Sequence, residues 1–193
     1  MNILFIDTET TGTDPKKHGI IEIAAEFHVN GKKVSEFNTK FFGRNHQVSM
    51  GALKVNKGSI QGLLKLEAEE KGVVEFVDWL LALDSREPIT ICGHNVHFDI
   101  SFIKALLDKY AIEEWDQAVS YRHLDTCSIG RFLIESGVLR TPIGKSGANL
   151  SNVATCLGIN LAGRSLHTAK DDVALTAEVY YKMLELVRGD KRL

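Results

Sequence analysis

Residues 20–42 read IIEIAAEFHVNGKKVSEFNTKFF. Two strand-like runs flank Asn30-Gly31, a dipeptide that readily adopts the positive φ angles of a two-residue hairpin turn. In the first run Ile21, Ile23 and Ala25 alternate with Ile20, Glu22, Ala24 and Glu26, the period of two that a strand imposes on its side chains. Lys33 to Phe42 supplies the second run. Just upstream, Ile3-Leu4-Phe5-Ile6 is a short continuous apolar stretch ending at Asp7. That is the pattern of a strand covered on both faces. Three consecutive antiparallel strands are therefore expected to open the chain.

Downstream, the pattern changes from hairpin to alternation. Val73, Val74, Val77, Leu80 and Leu81 predict a helix over about 72–84. Residues 88–92 (PITIC) form a β-branched strand with its proline at the edge. Asp99 to Tyr110 carries Phe102, Ile103, Leu106, Leu107 and Tyr110 on one side and is expected to be helical. His123-Leu124-Asp125 is read as a short last strand, and helices are expected at about 126–136, 149–157 and 170–188. Residues 44–70 show no clear period and are read as short helices and loops. The sum is an α/β layer structure, a mixed sheet of about five strands flanked by helices. No internal repeat or low-complexity tract interrupts it. Residues 139–147 (LRTPIGKSG) are the best surface-loop candidate, and the whole chain, 1–193, is read as a single domain with 186–193 as a short C-terminal tail.

Composition excludes several classes of protein. With 44 % hydrophobic and 25 % charged residues, the 193-residue chain has the make-up of an ordinary globular domain. Its net charge of −2 lacks the basic excess of a protein that grips nucleic acid over its whole surface. A compact site that recruits cations could still act on phosphates. Cys92, Cys127 and Cys156 are odd in number and form no CxxC, so neither a disulfide framework nor a zinc site is expected. No run approaches the ~20 apolar residues of a membrane helix, and the N-terminus lacks the basic region of a signal peptide. A soluble, cytoplasmic protein with no membrane partner is expected.

Candidate chemistry lies at element ends. Asp7 and Glu9 are two residues apart where an apolar strand stops, so they share a face at the usual ligand position of an open α/β sheet. The pair alone also fits solvated turn carboxylates, since about one DxE is expected by chance in a chain of this length. Asp99 heads an apolar stripe and, by itself, reads as a helix-capping acid. Thr168 with Asp171 resembles a capping box, which sets His167 just outside the last helix and Asp172 beside its apolar stripe. Taken together, these residues supply several acids and one histidine from separate elements. Carboxylates suit Mg²⁺ and Mn²⁺. Two such ions about 3.5–4 Å apart can clamp the attacking and leaving oxygens of a phosphodiester. A histidine can take a proton from water.

Three stretches carry a family resemblance: FIDTETTG (5–12), HNVHFD (94–99) and HTAKDD (167–172). In that order they resemble the motifs of the DEDDh, or DnaQ-like, 3′→5′ exonuclease family, and the similarity runs from residue 3 to about 185. The resemblance implies a ribonuclease H-like fold and two Mg²⁺ (or Mn²⁺). It implies that Asp7 bridges both ions, that Glu9 and Asp172 complete the tighter site, and that Asp99 helps hold the second. His167 would be the general base. Thr8, Thr10 and Gly12 would lie along the terminal nucleotide, Phe98 would pack near its sugar or base, and Asn95 would brace the second motif. Many proofreading members carry V-H-G-I, whose histidine touches the 3′ nucleotide. Here Val55-Asn56-Lys57-Gly58 stands in that place, and Asn56 could hydrogen-bond the sugar. Asp125, in HLDT, is read as a supporting residue.

The activity so implied is hydrolysis of phosphodiester bonds at DNA 3′ ends, single-stranded or mismatched, releasing nucleoside 5′-monophosphates. A DNA polymerase subunit is a candidate partner. The alternatives are an RNA-trimming member of the family and a nucleic-acid-binding module without activity, which would be expected to have lost one of the acids.

Overall fold

The computed structural model describes residues 1–56, 58–85, 87–141, 147–164 and 168–189. Strands β1 (Asn2–Thr10), β2 (Ile20–Val29) and β3 (Lys32–Phe42) come first. Helices α1 (Met50–Val55) and α2 (Ile60–Leu63), strand β4 (Glu67–Ala68) and helix α3 (Glu69–Leu81) follow. Then come β5 (Ile89–Gly93), α4 (Val96–Lys109), α5 (Glu114–Ala118), β6 (Val119–Asp125), α6 (Thr126–Glu135), α7 (Leu150–Cys156) and α8 (Ala169–Val187). The strands form one sheet in the order β4-β3-β2-β1-β5-β6.

The opening hairpin folds as its sequence demands. β1, β2 and β3 pair antiparallel, and Asn30 and Gly31 turn with φ of 51° and 81°. Both central angles are positive, which matches the right-handed twist of the flanking strands. β5 then joins β1 in parallel, and β6 joins β5 in parallel. The sheet has six strands rather than about five. The extra one, β4, is two residues long and pairs Glu67 and Ala68 with Phe41 and Phe42, too short for alternation to register in sequence.

β1 is apolar on both faces because both faces are covered. Leu4 and Ile6 pack with Phe76, Phe102, Ile103, Leu106 and Leu107 of α3 and α4. Ile3 and Phe5 pack with Val173, Ala177 and Tyr180 of α8. Truncating a large side chain such as Phe102 here costs about 3–5 kcal/mol. Gly72 in α3 is required by this packing, since a Cβ there would lie 2.0 Å from the Phe41 ring. A second cluster, built on Leu133, Val153, Leu175, Val179 and Met183, binds α6 and α7 to α8.

Helix limits differ from expectation at identifiable points. α4 starts at Val96, three residues early, because Asn95 takes a left-handed conformation (φ 66°) that turns the chain sharply out of β5. α3 lies at Glu69–Leu81 rather than 72–84. α5 is a single short turn with no period to read. The expected loop at 139–147 is described only at its ends, and residues 142–146 of it lie outside the described residues. No disulfide joins Cys92, Cys127 or Cys156. Among the described residues, no helix is long and apolar enough to cross a membrane.

Candidate active site

β1 outruns its parallel neighbour. Its pairing with β5 ends at Phe5–Cys92, while pairing with β2 continues to Thr10. Between Ile6 and Thr10 the sheet is therefore open on the β5 side. β1 is also antiparallel to one long neighbour, β2, and parallel to the other, β5, and ligand sites of open sheets gather at such junctions.

The alternation of β1 sorts its polar residues. Asp7 and Glu9 follow Ile3 and Phe5 onto the α8 face. Thr8 and Thr10 follow Leu4 and Ile6 onto the α4 face. The N-terminus of α8 is fixed by Thr168, whose Oγ1 accepts from the Asp171 N–H and donates to Asp171 Oδ2 at 2.8 Å. Asp171 is thus the capping partner, as its sequence context suggested. Asp172, whose N–H donates to the Thr168 carbonyl at 3.0 Å, lies between Ala169 and Val173, both buried against the β1 face. One carboxylate oxygen from each of Asp7, Glu9 and Asp172 lies within 4.8 Å of the others. All three residues are half-buried. The helix N-terminus adds a favourable dipole for the acids.

Asp99 arrives from the opposite face. It is 3 % exposed, and its Oδ1 accepts both the Thr8 N–H and the Thr8 hydroxyl at 2.8 Å each. The capping reading of Asp99 is thereby corrected. Asn95 occupies the cap position, and Asp99, a turn further on, serves β1 across the fold.

These carboxylates strain one another. Burial holds the Asp7 carboxyl well above the usual range, and Asp99, Asp172, Glu9 and Glu22 add repulsion. Burial, then Asp172, Glu22 and Asp99, push Glu9 up to about 7, with Lys40 pulling weakly the other way. Burial also raises Asp99, against the pull of its bonds from Thr8. Glu22 was not anticipated as part of this site. It stands opposite Glu9 in the β1–β2 register, is 4 % exposed and pairs with Lys40 at 3.3 Å. Its sequence signal is an acid set among the apolar residues Ile20, Ile21, Ile23 and Ala24. A crowded, half-buried set of oxygen donors of this kind has the chemistry of a hard-cation site.

The other named residues divide. Thr10 Oγ1 donates to the Gly12 carbonyl at 2.6 Å, and Asn56 Nδ2 donates to the Thr10 carbonyl at 3.1 Å. Asn56 is therefore brought to the first motif from 46 positions further along the chain. Gly12 is buried, and a Cβ there would lie 2.3 Å from the His18 ring. Its lack of a side chain serves the close approach of His18. Phe98 packs at a tilt against Phe102 with ring centroids 4.8 Å apart. The Asn95 N–H donates to Asp125 Oδ1 at 2.7 Å, and Asp125 also accepts from the Cys127 N–H and the Ser128 hydroxyl. Asp125 thus caps α6 while holding the turn that leads into α4. His167 lies outside the described residues.

A mixed sheet in this strand order, with helices on both faces and acids at the end of its central strand, defines a class by fold, the ribonuclease H-like fold. Within it, the chain belongs to the exonuclease family, whose sequence model matches residues 4–180. Among its relatives, a PolC-type DNA polymerase III from Thermotoga maritima is 26 % identical over 95 % of this chain, but this chain covers only 12 % of that protein. The 3′-5′ exonuclease DinG of Bacillus subtilis is 29 % identical over 95 % of this chain and 18 % of its own length. DNA polymerase III subunit epsilon of Rickettsia felis is 28 % identical over 93 % of this chain and 72 % of its own. In three dimensions the chain is similar to E. coli exonuclease I bound to single-stranded DNA, with a TM-score of 0.79. That likeness covers 98 % of this chain and 41 % of the other at 17 % identity, and shows the fold.

Proposed function

We propose that this chain is a 3′→5′ exonuclease that hydrolyses the terminal phosphodiester of DNA, single-stranded or mismatched, and releases nucleoside 5′-monophosphates. The observation that carries the reading is the convergence of Asp7, Glu9 and Asp172, with Asp99 locked beside them, in a chain of the exonuclease family. The donor set fits two Mg²⁺ or Mn²⁺ ions. Asp7 would serve both, Glu9 and Asp172 would complete one site, and Asp99 would help hold the other. Bound there, the cations supply positive charge against the phosphate oxygens and lower the pKa of water.

The chain's own residues do the remaining work. His167, beside the start of α8 in sequence, takes the proton from the attacking water on an imidazole nitrogen. Thr10 and Asn56, joined at the Thr10 carbonyl, form a wall for the terminal nucleotide. Phe98, half-buried and backed by Phe102, offers an apolar surface to its sugar or base. The half-buried position of the carboxylates limits bulk water around the reacting phosphate and strengthens every charge interaction there.

DNA as substrate is supported by the names of the relatives, and a polymerase subunit as partner by the PolC-type and epsilon proteins among them. The replication proteins among the relatives support a cytoplasmic setting. The test is a timed digestion of matched, 3′-mismatched and single-stranded DNA, with an RNA oligomer alongside, in Mg²⁺ and in Mn²⁺. Deoxynucleoside 5′-monophosphates are expected to appear first. Faster release from RNA would move the substrate to RNA, and no monophosphate from any oligomer would sink the reading.

A further inference from the structure

The hydroxyl of Thr8 is engaged by Asp99. Thr8 is 7 % exposed and on the α4 face of β1, and both of its donors go to one atom, Asp99 Oδ1, at 2.8 Å each. The reason lies in the sheet. Since β5 stops pairing with β1 at Phe5–Cys92, the Thr8 N–H finds no strand there, and a carboxylate from α4 takes it. Two donors from one residue fix both the position of Asp99 and which of its oxygens faces β1. A buried carboxylate without such donors would be free to rotate about its side-chain torsion or to take up a proton.

We propose that Thr8 is a positioning residue for the second cation site: it presents Asp99 to the metal rather than contacting the nucleotide. This rests on the two-cation reading above. The Thr8 backbone N–H remains in any variant, so the hydroxyl is the removable half of the clamp. Thr8→Val keeps the shape and the β-branched strand preference while deleting the donor. A charge-assisted hydrogen bond of this kind is a strong one, and its loss is expected to weaken the Asp99-dependent site about tenfold.

The experiment is a Mn²⁺ titration of the protein, without substrate, by calorimetry with electron paramagnetic resonance to count bound ions. The wild type is expected to bind two Mn²⁺ with unequal affinities. Thr8→Val should weaken the weaker site about tenfold and leave the stronger one, held by Asp7, Glu9 and Asp172, unchanged. Thr8→Ser should restore the wild-type curve, and Thr8→Ala, which also removes the methyl, should match Thr8→Val. A variant that merely loosened the fold would weaken both sites and fail to be rescued by serine. Unchanged binding of both ions in Thr8→Val, or in Thr8→Ala should the valine chain not fold, overturns the role of Thr8 alone. A wild-type chain that binds fewer than two Mn²⁺ overturns the two-cation reading and this inference with it.

Discussion

Glu69 offers a sharp test of how the site is held up from behind. It is the first residue of α3 and is 2 % exposed. Its Oε1 faces His46 Nε2 at 2.6 Å, while Oε2 accepts from the Tyr110 hydroxyl at 3.0 Å and from the Lys109 ammonium. The cluster ties the start of α3 and the end of α4 to the loop after β3. That loop in turn holds the first motif, through the Ser49 N–H on the Thr11 carbonyl at 2.7 Å and the Gln47 carbonyl under the Thr11 hydroxyl at 2.6 Å. Burial alone would raise the Glu69 carboxyl, but His46 and Lys109 outweigh it and pull it down to about 2 from an ordinary 4.5. A depression of that size corresponds to about 3 kcal/mol. Because Lys109 is one-third exposed, solvent screening reduces this to about 2 kcal/mol. The folded-state pKa is the lower one, so this stability is fully present above about 4.5 and is lost as pH falls toward 2. Glu69→Gln keeps the volume but removes the charge opposite the Lys109 ammonium. In urea denaturation followed by circular dichroism at pH 7, its midpoint should fall by about 1 M. The gap to wild type should narrow steadily from pH 4.5 to pH 3. Equal midpoints at pH 7, or a gap that ignores acid, would refute the electrostatic account of this cluster.

Two further outcomes follow from the packing and the charges. The Glu9 carboxyl is raised to about 7, so the metal-free protein should lose stability as pH climbs from about 4.5 through 7, and Mg²⁺ at a hundredfold excess over its Kd should return about 2.7 kcal/mol. Melting curves in EDTA and in Mg²⁺ at pH 6 and 8 measure this; Asp7→Asn should melt higher than wild type in EDTA and gain less from Mg²⁺. Gly72→Ala would drive a Cβ to 2.0 Å from the Phe41 ring and should cost about 1–3 kcal/mol by denaturant unfolding; a neutral result would mean that the α3–β3 contact is looser than described.

What the sequence disclosed was local. Asn30-Gly31, the apolar run at Ile3–Ile6 and the cap at Thr168 each act within a few residues, and each lies where expected. Asp7, Glu9 and Asp172 could be grouped because their strand period and helix start put them at element ends. Asp99 was misleading in isolation because its partner, Thr8, is 91 residues away. Nothing near residue 99 distinguishes a cap from a clamp. Glu22 joins the acids only through the β1–β2 register, and Glu69 acquires its partners from two separate segments, the loop at His46 and the end of α4 at Lys109 and Tyr110. Pairings of that kind depend on tertiary geometry that periodicity does not encode. The resemblance supplied the grouping that physics alone left open, and it assigned Thr8 to the nucleotide, whereas the folded chain turns its hydroxyl to Asp99.

The central claim is that the carboxylate cluster removes nucleotides from 3′ ends. It is tested most directly with a single-stranded DNA labelled at its 5′ end, incubated with wild type and with Asp7→Asn in Mg²⁺, with products resolved by gel and mass spectrometry. The account predicts a ladder that shortens one residue at a time from the 3′ end, with deoxynucleoside 5′-monophosphates as the released species. It predicts no ladder with Asp7→Asn or with EDTA. Immediate release of the 5′ label as mononucleotide, cuts at internal positions, or an undiminished ladder from Asp7→Asn would contradict it.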